Sequence, residues 1–259
     1  MRQTLIAGNW KMNLNLTEGR ALVEGLKAEL AKLDLPSGFE VAVCPPAVYL
    51  LPVAGACDGS PIVLGAQDVY HEPRGAFTGE IAPAMIAETG ARYVIIGHSE
   101  RRHTIGHLED DRIINLKLRA ARGVGLTPIL CIGETLAERQ AEQTLDVLTF
   151  QLTAGLVGVS CEQPSELVIA YEPVWAIGTG HTATPQQAQE AHAHIRSELV
   201  RLLGPVGQEV RILYGGSVKP DNARELVGQP DVDGALVGGA SLKVESFAGI
   251  IREALAAVG

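Results

Sequence analysis

Short apolar runs rich in β-branched residues alternate with longer stretches of mixed polarity from one end of the chain to the other. Eight such runs stand at residues 5–10, 40–44, 62–65, 93–97, 127–132, 167–171, 211–214 and 234–237. They are nearly continuous in hydrophobicity, the pattern of strands covered on both faces in a parallel sheet. Between them, residues 17–33, 110–122, 137–156, 185–203 and 244–258 carry the spacing of amphipathic helices. Thr184-Pro185 reads as a helix cap followed by proline in the first turn, and Gly123 as a helix stop. Strand and helix in regular alternation predict an α/β protein. Eight strands predict closure into a (β/α)8 barrel, eight parallel strands surrounded by helices, in place of an open sheet. No Pro/Ser-rich linker, low-complexity tract or charge block divides the chain, so residues 1–259 are expected to form a single domain.

Composition narrows the setting. Of the residues, 46% are hydrophobic and 20% charged, as in soluble globular proteins, and no apolar stretch approaches the ~20 residues that cross a bilayer. No membrane partner is expected. No signal-peptide core precedes the first strand, which predicts a cytoplasmic location. A net charge of −9, from 21 basic and 30 acidic residues, argues against nonspecific nucleic-acid binding and requires that any anionic ligand be held by local groups. Cys44, Cys57, Cys131 and Cys161 are dispersed, forming neither a disulfide framework nor a zinc motif, and read as buried free thiols.

Barrel enzymes draw their reactive groups from the C-terminal ends of the strands, so the polar residues there carry the functional argument. The segment Ala170-Tyr171-Glu172-Pro173-Val174-Trp175-Ala176-Ile177-Gly178-Thr179-Gly180 ends an apolar run with a carboxylate and continues into a Pro-led, Gly-ended loop. That is the layout of a base beneath a lid able to exclude water. Asn9 and Lys11 follow the first strand and His98 follows the fourth. The last two strands run into Tyr214-Gly215-Gly216-Ser217 and Val237-Gly238-Gly239-Ala240, loops able to offer backbone N–H groups to an anion. Each has a plainer reading alone: a rim carboxylate, a surface lysine, a core histidine, a pair of turns. Their conjunction at one end of one barrel points to chemistry on a small anion.

With Cys44-Pro45-Pro46, Gly75-Ala76-Phe77-Thr78-Gly79-Glu80 and Cys131-Ile132-Gly133-Glu134 added, nearly every loop after a strand matches, and the chain resembles the triosephosphate isomerase family from end to end. The resemblance implies the TIM barrel and the interconversion of dihydroxyacetone phosphate and D-glyceraldehyde 3-phosphate through an enediolate, in glycolysis and gluconeogenesis. It assigns Glu172 as the base. A neutral His98 polarises the carbonyl, as is established for this family, and Lys11 and Asn9 stabilise the developing charge. Ser99, Glu100 and Cys131 stand as supporting residues. Glu100 is expected to orient Lys11, with a surface pairing to Arg101 or Arg102 as the alternative. The phosphate falls to Asn9, Lys11, Gly178, Ser217, Gly238 and Gly239, and Pro173 to Thr179 form the lid. Neither metal nor cofactor is implied. The long loop 67–80 implies a homodimer, with Thr78, Glu80 and Arg101 at the interface.

Two local departures stand out: Asp68 where the family more usually has Asn, and His107-Leu108 as a small insertion. The aromatic pair common in the family near Thr104-Ile105 is missing too. A different phosphate-binding barrel enzyme, or a noncatalytic phosphometabolite-binding protein on the same fold, are the competing readings. The first lacks the Asn9, Lys11, His98 and lid set, and the second is marked by a decayed site.

Overall fold

The computed structural model describes residues 2–106, 108–177 and 182–259. Its strands are β1 (Thr4–Asn9), β2 (Phe39–Cys44), β3 (Ile62–Ala66), β4 (Tyr93–Ile96), β5 (Thr127–Ile132), β6 (Val168–Tyr171), β7 (Arg211–Tyr214) and β8 (Gly234–Val237). Each pairs in parallel with the next, and β1 pairs with β8, so the sheet closes on itself. Closure removes every sheet edge. Around it lie α1 (Leu16–Leu30), α2 (Leu50–Cys57), α3 (Pro83–Ala87), α4 (Ser99–His103) and α5 (Asp111–Gly123). They are followed by α6 (Leu136–Gln140), α7 (Thr144–Gly155), α8 (Pro185–Leu203), α9 (Ala223–Val227) and α10 (Val244–Val258).

Strand pleating sorts the apolar residues into two cores. Leu5, Ala7, Ala42, Ile95, Ile129, Val168, Ala170 and Leu213 point inward and fill the barrel. Their neighbours Ile6, Val41, Val94, Leu130, Ile169 and Ile212 point outward and pack under helix residues such as Leu26, Leu118, Leu152 and Ile195. Both faces are buried, which is why the runs read as continuous. Among the described residues no helix is long and apolar enough to cross a membrane.

Thr184 caps α8 as its sequence suggests: its hydroxyl accepts from Gln187 N, the Gln187 side-chain oxygen accepts from Thr184 N, and Pro185 fills the first turn. Three expectations are corrected. Residues 137–156 form two helices, α6 and α7, parted where Glu142 takes a left-handed φ of 58°. Ala141, Glu142 and Gln143, between the two helices, are all good helix formers, so local propensity could not signal the break. Gly123 lies inside α5, and the chain reverses two residues on at Gly125, with φ 83°. Cys161 is only half-buried, while Cys44, Cys57 and Cys131 are buried; all four are free thiols.

Candidate active site

Strand alternation delivers the polar residues. In β1 the inward positions Leu5 and Ala7 are followed by Asn9, and in β6 Val168 and Ala170 are followed by Glu172, one residue past the strand. Asn9 and Glu172 therefore project into the barrel mouth, Glu172 only 2% exposed. His98 reaches the same place because Gly97, with φ 71°, turns the chain just after β4.

The imidazole and the carboxylate meet. His98 Nε2 lies 2.9 Å from Glu172 Oε1, while Glu172 Oε2 accepts from Ser99 N at 2.8 Å. On the other side of the ring, Nδ1 accepts from Glu100 N at 3.2 Å. A backbone N–H at Nδ1 fits the tautomer that carries its proton on Nε2. Burial acts to raise the Glu172 pKa, but His98, the Ser99 N–H and Lys11 outweigh it and hold the carboxyl below its ordinary range. For His98, burial acts downward and the Glu172 carboxylate overcomes it, leaving the imidazole above its ordinary value. That elevation belongs to the contact: with Glu172 drawn away, burial and Lys11 both favour the neutral ring.

Lys11 occupies a strained backbone, φ 52°, which the surroundings over-determine. Its N–H donates to Asn9 Oδ1 at 3.0 Å, and its carbonyl accepts from Gln67 Nε2 at 2.8 Å. Its ammonium pairs with Glu100 Oε1 at 2.6 Å, whereas Arg101 pairs with Asp68 and Glu109, and Arg102 with Asp111. Glu100 thus pairs with Lys11, and Arg101 and Arg102 pair with other carboxylates.

Asn9, Lys11, His98 and Glu172 share a cavity of about 290 Å³ with Ser217, Gly238 and Gly239. A Cβ on Gly238 would stand 3.5 Å from Lys11 Cε, so the ammonium lies beside the glycine loop. Among the described residues, no acceptor pairs with the backbone N–H of Ser217, Gly238 or Gly239. A small anion fits those donors without a long-range positive field. Cys131 is fully buried, and burial, with the Glu172 charge adding to it, pushes its thiol well above the ordinary range.

The loop expected to form the lid begins at Pro173, continues as a turn of 3-10 helix from Val174 to Ala176, and reaches Ile177 at the cavity wall. Gly178 and Thr179, expected to complete it, lie outside the described residues. Ser217 Oγ donates to Ala176 O at 3.3 Å. A fully buried Glu134 ties down the start of this loop: it accepts from Trp175 Nε1 at 2.8 Å and Tyr171 OH at 3.1 Å, and Arg139 stacks on Trp175. Glu134 was legible as part of a motif, but its role was not. Gln67, Arg139 and Lys219, which also lines the cavity, carried no local signal.

A second cavity of about 340 Å³ opens from Asn9, Lys11 and His98 toward Gln67, Asp68, Glu80 and Arg101. Met12 stands at its rim, 95% exposed. Thr78 and Glu80 are exposed on the loop beyond, and Arg101 is half-buried. His107 of the suspected insertion lies outside the described residues.

Comparison with known proteins agrees with this geometry. The family profile described as Triosephosphate isomerase matches residues 4–254. Triosephosphate isomerase of Carboxydothermus hydrogenoformans is 54% identical over 97% of this chain and 99% of its own length. That of Herpetosiphon aurantiacus is 53% identical over the same shares. The crystal structure of triosephosphate isomerase from Bartonella henselae superposes with a TM-score of 0.86 at 40% identity, covering 97% of this chain and 98% of the other. A barrel closed in this order, a carboxylate and an imidazole in contact over an anion-sized cavity, and relatives matched over nearly their whole length lead to one family: the chain belongs to the triosephosphate isomerases.

Proposed function

We propose that Glu172, His98, Lys11 and Asn9 interconvert dihydroxyacetone phosphate and D-glyceraldehyde 3-phosphate in the cavity they share. The reaction moves a proton between adjacent carbons beside a carbonyl. A base must take it from one carbon and return it to the next, while an acid shuttles a proton between the two oxygens. Glu172, held ionised, is the base. His98 offers Nε2–H to the substrate oxygens once Glu172 turns from the imidazole to the carbon acid. The same motion leaves His98 neutral and better matched as an acid. Lys11 and Asn9 stabilise the enediolate as charge develops on its oxygens.

The phosphate binds at the N–H groups of Ser217, Gly238 and Gly239 and at the Lys11 ammonium, with Gly178 joining from the lid. The lid, Pro173 to Thr179, keeps the intermediate from water and from losing phosphate. Proton balance closes within these residues, so no cofactor is invoked. The observation that carries the reading is the contact between His98 and Glu172 at the wall of the cavity that Asn9, Lys11 and the glycine loops also line. Conversion of glyceraldehyde 3-phosphate to dihydroxyacetone phosphate tests it: Glu172→Gln should cut kcat by about a thousand-fold or more while the protein stays folded. A variant with wild-type turnover would sink the assignment.

We further read the protein as a cytoplasmic homodimer of single-domain subunits. The cavity beside Lys11 and His98, with exposed Met12, supports a partner loop seated there and an interface through Thr78, Glu80 and Arg101. Sedimentation of the dilute protein should give a dimer. A fully active monomer would overturn that part.

A further inference from the structure

We infer that Gln151, on α7, is a positioning residue for the isomerisation; the inference rests on the reading of Glu172 as the base. Gln151 is 7% exposed, and its amide spends both ends on one residue. Oε1 accepts from Gly133 N at 2.8 Å and Nε2 donates to Gly133 O at 3.3 Å. A neighbouring strand would offer the same reciprocal pair. It is supplied here where β5 has passed its last ladder partners, Ile132 and Tyr171.

The peptide so held is the wall behind the base. A Cβ on Gly133 would lie 1.7 Å from Glu172 O and 2.6 Å from its carbonyl carbon. On the opposite flank a Cβ on Gly215 would lie 2.9 Å from Glu172 Cγ. Glu172 is thus wedged between two backbones, and its N–H is tied to Ile132 O at 2.7 Å. The residue after Gly133 is Glu134, whose carbonyl accepts from Val174 N at 3.1 Å and whose carboxylate holds Trp175. One amide on α7 therefore fixes the run of chain from which both the base and the lid hinge are hung.

The chemistry of the amide is specific. It must accept at one end and donate at the other. Methionine fills the space and does neither. A glutamic acid does both while neutral, since its O–H can donate to Gly133 O, but once ionised it only accepts and faces a carbonyl oxygen.

The test compares Gln151→Met, Gln151→Glu and a packing control on the same helix, Leu152→Ala, with Glu172→Gln alongside. The readouts are kcat and KM for glyceraldehyde 3-phosphate across pH, and Tm. Gln151→Met should lower kcat by about ten- to a hundred-fold with KM within about two-fold, the pattern of a displaced base. Leu152→Ala should lower Tm and leave kcat alone. Relative to wild type, Gln151→Glu should be most active at the acid end and lose kcat as its buried carboxyl ionises, above the ordinary carboxylate range. Wild-type kcat in Gln151→Met overturns the proposal. So does a Gln151→Glu activity ratio that is flat with pH, which decides the matter if the methionine variant does not fold. Retained turnover in Glu172→Gln would instead fell the base assignment beneath it.

Discussion

At the N-terminal end of the barrel Arg211, 2% exposed, donates to Glu40 at 2.7 Å and to Tyr93 OH at 2.9 Å. Tyr93 OH donates to Glu40 in turn, and Arg92 reaches the other Glu40 oxygen at 2.8 Å. At the C-terminal end His98 and Glu172 are as deeply buried and as closely paired, and Lys11 is held by Glu100. The two sets cap the same apolar interior from opposite sides. The lower set closes on itself, each group answering another of the set. The upper set spans a cavity, and its partners can be exchanged for those of a ligand. Buried charge alone therefore does not mark a site. What marks it is buried charge whose partners face open space.

The sharpest way to break that comparison is to remove a charge from the closed end. Arg211→Met leaves Glu40 with Tyr93 and Arg92 as partners and should cost about 3 kcal/mol of stability, the low end of the usual loss when one member of a buried pair is deleted. Urea unfolding measures it, and kcat per folded molecule should stay within about two-fold. Lost activity at unchanged stability would mean that the two ends are not separate in function. The converse change is Lys11→Met at the open end. Removing a preorganised charge there should raise the activation barrier by about 3 kcal/mol. Its half-exposed pairing with Glu100 should be worth under about 1 kcal/mol to folding. A large unfolding shift with intact kcat would place Lys11 among the structural ions.

The same contrast explains what the sequence disclosed. The strands were legible because both faces of each are buried, which leaves an apolar run wherever the barrel needs one. Asn9, His98 and Glu172 were legible because each breaks the end of such a run with a polar residue, something that costs free energy unless it is used or paired. The lower cluster was hidden. Tyr93 and Arg211 open their strands and Glu40 stands second in its own, at strand starts where polar residues are common, and only closure of the barrel brings them together. Gln151 and Gln67 were hidden for the same reason: their partners stand 18 and 56 residues away, at Gly133 and Lys11. The break between α6 and α7 was unreadable because no residue within it resists helix.

The smallest effect concerns the second buried histidine. His192 lies on α8 under the hinge, with Tyr171 edge-on to its ring at 5.8 Å. Nδ1 faces Asp231 O at 3.1 Å, and Nε2 has no hydrogen-bond partner among the described residues. Burial pushes its pKa down to about 4, with the Asp231 carbonyl opposing the fall and the Arg196 charge adding to it. No carboxylate touches the ring as Glu172 touches His98, so two buried imidazoles in one fold shift in opposite directions. The sign for stability follows. Above the ordinary value of 6.5 the ring is neutral folded and unfolded, and His192 contributes no pH dependence. Between 6.5 and about 4 the unfolded chain binds the proton and the folded one does not, so stability falls as the solution is acidified. The loss should reach roughly 1–1.5 kcal/mol near pH 5.5. In His192→Gln, which keeps a donor for Asp231 O but cannot titrate, the drop across that window should shrink by this amount. Equal slopes for the two proteins would show that the acid sensitivity of folding lies elsewhere than in His192.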